Sequence, residues 1–144
     1  MTPCSARVPH SWHQDGALRH DFMAHAGSPA PADAALEMRT LWIALTPCGE
    51  HAPGLEWVNA PLRGLLSPPE LSDAAVSVRF WHQAFEHARL QAGDALLFDG
   101  LLLHRTHLTA AMLLARSSIE LRFFRAGTLP LRVAGDAGQR LQLR

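Results

Sequence analysis

What this sequence has little of narrows the reading first. Neither sign of charge is in excess: 13 Lys plus Arg balance 13 Asp plus Glu over 144 residues. Nucleic-acid surfaces leave a basic footprint, and anionic membranes attract polybasic segments. Neither pattern is present, so no nucleic-acid or membrane partner is expected. Two cysteines, Cys4 and Cys48, with no CxxC spacing, make neither a disulfide framework nor a structural zinc site. They read as reduced thiols. No stretch approaches the ~20 apolar residues of a membrane span, and the richest one, Ala95 to Leu103, is broken by Asp99. Met1 to His10 has no apolar core of the signal-peptide kind, so a cytoplasmic location is expected. Also missing are GxGxxG, a Gly-rich phosphate loop ending in Gly-Lys-Ser/Thr, HExxH and GxSxG.

What remains is a globular composition, 48% hydrophobic, of a length that suits one domain over residues 1–144. Strands are expected at Met38–Thr46, Leu55–Asn59, Ala95–Phe98, Leu101–Thr106 and Ser117–Phe124. Turn residues such as Pro47, Gly49 and Gly93-Asp94 lie between them. Leu129–Val133 and Arg140–Leu143 read as a final hairpin, and Ala26–Asp33 as a loop. Pro68-Pro69 predict irregular structure over 61–72. The apolar positions of 70–90 fit helix and strand about equally. Many short strands separated by turns argue for an all-β fold, a sandwich or jelly roll.

Nine histidines are present, and one has a carboxylate at a useful spacing: His13-Gln14-Asp15. In extended chain, positions i and i+2 share a face. An imidazole and a carboxylate then converge, supplying two ligands of the 2-His-1-carboxylate triad that holds non-haem iron(II). A third ligand has to come from another strand. Period two over Leu101–His107 puts His104 with Leu102 and Thr106, and His107 with Arg105, which leaves both histidines open. Downstream, Arg116 and Ser118 share a strand face and suit a carboxylate. The opposite face, Ser117, Ile119, Leu121 and Phe123, is expected to pack against protein. Glu120 and Arg122 share the face of Arg116, as an internal ion pair or an exposed one. Trp57, Trp81 and Phe85 read as core or pocket wall, and Asp99 as a turn former.

The ordered set WHQDG, LWIALT, APGLEWV, GDALLFDGLLLHRT and RSSIELRFF, from Trp12 to Phe124, resembles the phytanoyl-CoA dioxygenase family. That resemblance implies a double-stranded β-helix (cupin-like jelly roll), here with a short N-terminal region. It implies Fe(II) held by His13, Asp15 and His104, and it selects His104 over His107. By the same resemblance Arg116 binds 2-oxoglutarate, Thr106 lies near that co-substrate, and Trp42 lines the pocket. The implied reaction uses O2 to hydroxylate a small organic molecule, with release of succinate and CO2. Related halogenases replace the carboxylate ligand by a small residue, so Asp15 implies hydroxylation. The family's Pro-Gly-Ser-His turn after GLEWV is replaced by Asn59-Ala60-Pro61-Leu62-Arg63. A homodimer would cover exposed strand edges. Two other readings compete: a catalytically silent, shortened β-sandwich acting as a binding module, and a cupin-like metal enzyme that needs the triad but not Arg116.

Overall fold

The computed structural model describes residues 10–17 and 37–124. Cys4, His20, His25, the loop expected at 26–33 and the final hairpin expected after 128 lie outside them. The described part is mainly β. Six strands are ordered along the chain: β1 Met38–Ala44, β2 Gly54–Val58, β3 Phe85–His87, β4 Ala95–Asp99, β5 His104–His107 and β6 Ser118–Phe124, with one helix, α1 Asp73–Arg79, between β2 and β3. Two antiparallel three-stranded sheets result, in the orders β4-β1-β6 and β3-β2-β5. Among the described residues no helix is long and apolar enough to cross a membrane.

Strand β1 shows the period-two rule most clearly. Met38, Thr40, Trp42 and Ala44 are buried, while Arg39, Leu41 and Ile43 face the other way. Its inward residues meet those of the second sheet. Trp42, Ala44, Cys48, Ala52 and Leu55 form one core, flanked by Leu90, Leu96 and Phe98. A second core lies on the far side of the β3-β2-β5 sheet, where Trp12, Val58, Val76, Phe80 and Leu103 pack under α1. Leu103, Val58 and Val76 are fully buried, each contributing about 2 kcal/mol by removal from water. Arg105 of β5 links sheet to helix through Glu56 at 2.6 Å and Asp73 at 2.8 Å. Its guanidinium also lies 4.5 Å over the Trp12 ring.

Several expectations change. The ambiguous stretch 70–90 contains both a helix and a strand. Ser72 caps α1 by accepting from the Ala75 amide, and the charges of Asp73 and Arg79 suit the two helix ends. Pro68 and Pro69 do not prevent regular structure: they open a 3-10 turn, Pro68–Leu71, where a missing amide costs nothing. Leu101 and Leu102 are not strand residues. Asp99 Oδ1 accepts from both their amides, at 2.9 and 3.1 Å, and this turn delays β5 until His104. Trp81 is 79% exposed and belongs to neither core nor pocket. Ile119, Leu121 and Phe123 are exposed as well. They share the outer face of their sheet with Leu97 and Leu41, so the side of β6 that turns inward is the polar one.

Candidate metal centre

The segment 10–16 runs along the free edge of β5. His13 and His104 exchange both backbone hydrogen bonds, at 2.9 and 3.1 Å. The Gly16 amide donates to the Gly100 carbonyl at 2.7 Å, and the Thr106 amide to that of His10 at 3.1 Å. Directly paired residues present side chains on one side, so the two imidazoles stand together with ring centroids 4.2 Å apart. Asp15 arrives differently from the expected extended segment. The chain leaves the β conformation after His13 and enters a 3-10 turn, Asp15–Ala17, which swings the carboxylate back between the rings. Gln14 fixes this turn from the opposite side. It is buried, donates to the Leu101 and Gly64 carbonyls and accepts from the Leu66 amide.

Each imidazole has its Nδ1 against a carbonyl, His13 on Ser11 at 2.7 Å and His104 on Leu102 at 3.0 Å. A carbonyl only accepts, so Nδ1 carries a proton and Nε2 is the ring atom left to face a metal. Both Nε2 atoms face one oxygen, Asp15 Oδ1, at 3.8 and 3.9 Å. The three ligand atoms lie within 4.8 Å of one another, the one such group among the described residues. The other carboxylate oxygen, Oδ2, accepts a 2.6 Å hydrogen bond from Thr40 Oγ1. Two imidazole nitrogens and one carboxylate oxygen, already oriented, fit a divalent transition metal after closing by about an ångström to bonds near ~2 Å.

Burial, followed by the neighbouring His13, pushes the His104 pKa from the ordinary 6.5 down to about 4, against the Leu102 carbonyl and Asp15, which raise it. His104 is therefore neutral near pH 7. In the unfolded chain it titrates at its ordinary value. Between these two pKa values the unfolded state binds more protons, so its contribution to stability is complete above pH 6.5 and lost as pH falls towards 4. The loss is on the order of 3 kcal/mol. Denaturant unfolding of metal-free protein at pH 7 and pH 4.5, compared with His104→Gln, should show a shallower pH slope in the variant. Identical slopes would contradict a buried neutral His104.

The three ligands open onto a cavity of about 340 Å³. Trp42, Leu55 and Phe98 give it an apolar wall, and Thr106, Arg116, Glu120 and Arg122 a polar one. Arg116 is anchored: its Nη1 donates to the Gly54 carbonyl at 2.7 Å and to that of Pro53 at 3.4 Å, and its guanidinium lies 5.0 Å from the Trp42 ring centroid. Burial lowers its pKa, opposed by Cys48 and Glu120. Arg122 pairs with Glu120, and its Nη2 stands 3.7 Å from Asp15 Oδ1.

Six of the seven site residues expected from sequence thus meet here: His13, Asp15, His104, Arg116, Thr106 and Trp42. Ser118 does not. It is exposed at the open end of β6, opposite Ala44, and is not part of the cavity wall. Arg116 precedes the first residue of β6, so the strand alternation that paired it with Ser118 does not yet apply. Sequence reasoning also passed over Thr40 and Gln14. Thr40 was discoverable, because it lies two positions before Trp42 on the same inward face. His107 stacks on His87 on the other side of its sheet, with centroids 4.3 Å apart, away from the triad. No protein-family model matches this chain, and no curated protein matches it.

Proposed function

We propose that this protein is an Fe(II)- and 2-oxoglutarate-dependent dioxygenase with a jelly-roll core, hydroxylating a small organic substrate with release of succinate and CO2. One observation carries the reading: two imidazole Nε2 atoms and a single carboxylate oxygen converge on a cavity that also holds an anchored arginine. When bound, iron supplies the O2-dependent oxidation, while the co-substrate is spent to succinate and CO2.

The chain's own residues do the rest. His13, Asp15 and His104 would hold the metal where they line the cavity. Arg116 offers a fixed cation to the far carboxylate of 2-oxoglutarate, and its Nη1 anchorage on Pro53 and Gly54 removes much of the entropy cost of ordering it. Thr106 adds a hydroxyl in the same wall. Trp42, Leu55 and Phe98 exclude water from the region between arginine and metal.

The test is anaerobic. Iron(II) and then 2-oxoglutarate are added to metal-free protein, and the visible charge-transfer band of the chelate is followed. Wild type should give a saturable band. Arg116→Ala should need at least about tenfold more 2-oxoglutarate, the loss of one charge-assisted contact, with iron affinity little changed. A folded wild-type protein giving no band would overturn the proposal. Iron binding that 2-oxoglutarate never perturbs would point to a triad enzyme without this co-substrate.

A further inference from the structure

We infer that Thr40 is a positioning residue whose hydroxyl keeps Asp15 a one-oxygen ligand. This rests on the metal site proposed above and asks what controls its coordination number. Thr40 occupies the centre of β1, the middle strand of its sheet, with Phe98 and Arg122 opposite it on the neighbouring strands. It is completely buried. A buried hydroxyl needs a partner, and the one it has among the described residues is Asp15 Oδ2 at 2.6 Å. A β-branched side chain in a central strand has little rotamer freedom, so the donor is fixed in direction. The bond to an ionised acceptor is of the short, strong kind.

The consequence lies in what each carboxylate oxygen can do. Oδ1 faces His13 and His104 at 3.8 and 3.9 Å. Oδ2 points into the sheet and is held there. A carboxylate free to turn could offer both oxygens and take two metal positions. With Oδ2 engaged by Thr40 it takes one, and a six-coordinate ion keeps three positions for exogenous ligands. A chelating 2-oxo acid would need two of these, so Thr40 would preserve a position for the O2 that the reaction consumes. Arg122 does not replace it, because its Nη2 stands 3.7 Å from Oδ1, on the metal side, and is engaged by Glu120.

Three measurements test this, using cobalt(II) and zinc(II) as spectroscopic probes. Infrared difference spectra of wild-type protein carrying ¹³C-labelled aspartate, zinc-loaded minus metal-free, should show the wide splitting of a one-oxygen carboxylate ligand. Thr40→Val keeps the shape and removes the donor. It should bind cobalt 10–100-fold more weakly, the usual effect of losing a ligand's hydrogen-bond partner, and its visible cobalt spectrum should change. Thr40→Ser restores the hydroxyl and should return affinity and spectrum to within about threefold of wild type. A narrow, two-oxygen splitting in wild type overturns the inference whether or not Thr40→Val folds. So does a folded Thr40→Val with wild-type cobalt affinity and spectrum. Wild type that binds neither metal removes the proposed function along with it, an outcome distinct from the other two.

Discussion

Replacing Asp15 by alanine is expected to abolish turnover and to weaken iron binding by roughly a hundredfold or more, exceeding the 10–100-fold typical of losing only a ligand's hydrogen-bond partner. Three features of the site compound the effect. The substitution deletes the oxygen on which both Nε2 atoms converge, so the site keeps two ligands. It takes the acceptor from a completely buried Thr40 hydroxyl, which then has no partner among the described residues. It also removes the anion 3.7 Å from Arg122, leaving that cation facing the remaining imidazoles and opposing any metal ion that approaches. Iron titration under anaerobic conditions and succinate release in air measure the two consequences. Undiminished 2-oxoglutarate decarboxylation by Asp15→Ala would remove Asp15 from the ligand set.

A comparable effect, on the fold first, should follow from Gly49→Ala. Gly49 has φ +89°, in the left-handed region that disfavours side chains, at a cost of about 1–2 kcal/mol. A Cβ there would also lie 1.9 Å from the Ala88 carbonyl oxygen and 3.2 Å from the Arg89 Cα. These are backbone atoms and no rotamer change relieves them. The chain must separate at the Cys48–Leu90 bridge, where two hydrogen bonds of 2.9 and 3.0 Å tie the segment before β2 to the segment after β3. A loss of about 3 kcal/mol or more is expected, lowering Tm by about 10 °C. Gly93→Ala is the control. Its φ is +96° but nothing lies within 4 Å of the added atom, so it should cost about 1 kcal/mol, the left-handed penalty alone. Equal Tm values for the two variants would show that the close approach at Ala88 is unimportant. Because the same segment carries the Pro53 and Gly54 carbonyls that hold Arg116, Gly49→Ala should also weaken 2-oxoglutarate binding more than iron binding.

The strands were legible where burial and period two agree. In β1 every second residue is buried, and its reading from Met38 was close to what is observed. Periodicity separates two faces but does not say which is inside, and β6 shows the limit. Its apolar stripe, Ile119, Leu121 and Phe123, looked like core, yet Glu120 and Arg122 are the residues that turn inward, because that side lines the site. Local patterning fails most readily at such functional positions. The helix was hidden for a different reason: α1 is short and buries a single residue, Val76, so it lacks an apolar stripe to read. His13 and Asp15 were found from spacing, although the geometry joining them is a bridge followed by a turn. The Thr40 bond spans 25 positions, beyond the reach of local pattern.

The way the segment 10–17 is attached carries a consequence for biogenesis. Gln14 and its acceptor Leu101 are 87 positions apart, and His13 pairs with His104 across a similar span. During synthesis His13 and Asp15 precede β5, and neither the His13–His104 pairing nor the Gln14–Leu101 bond can form until that region has been made. Closing so large a loop is entropically costly and slow. Under the proposed function, iron capture would therefore be a late step in maturation, following chain collapse. Once bound, the ion would act as a cross-link between an early and a late segment and make the release of residues 10–17 the opening motion that loading suppresses.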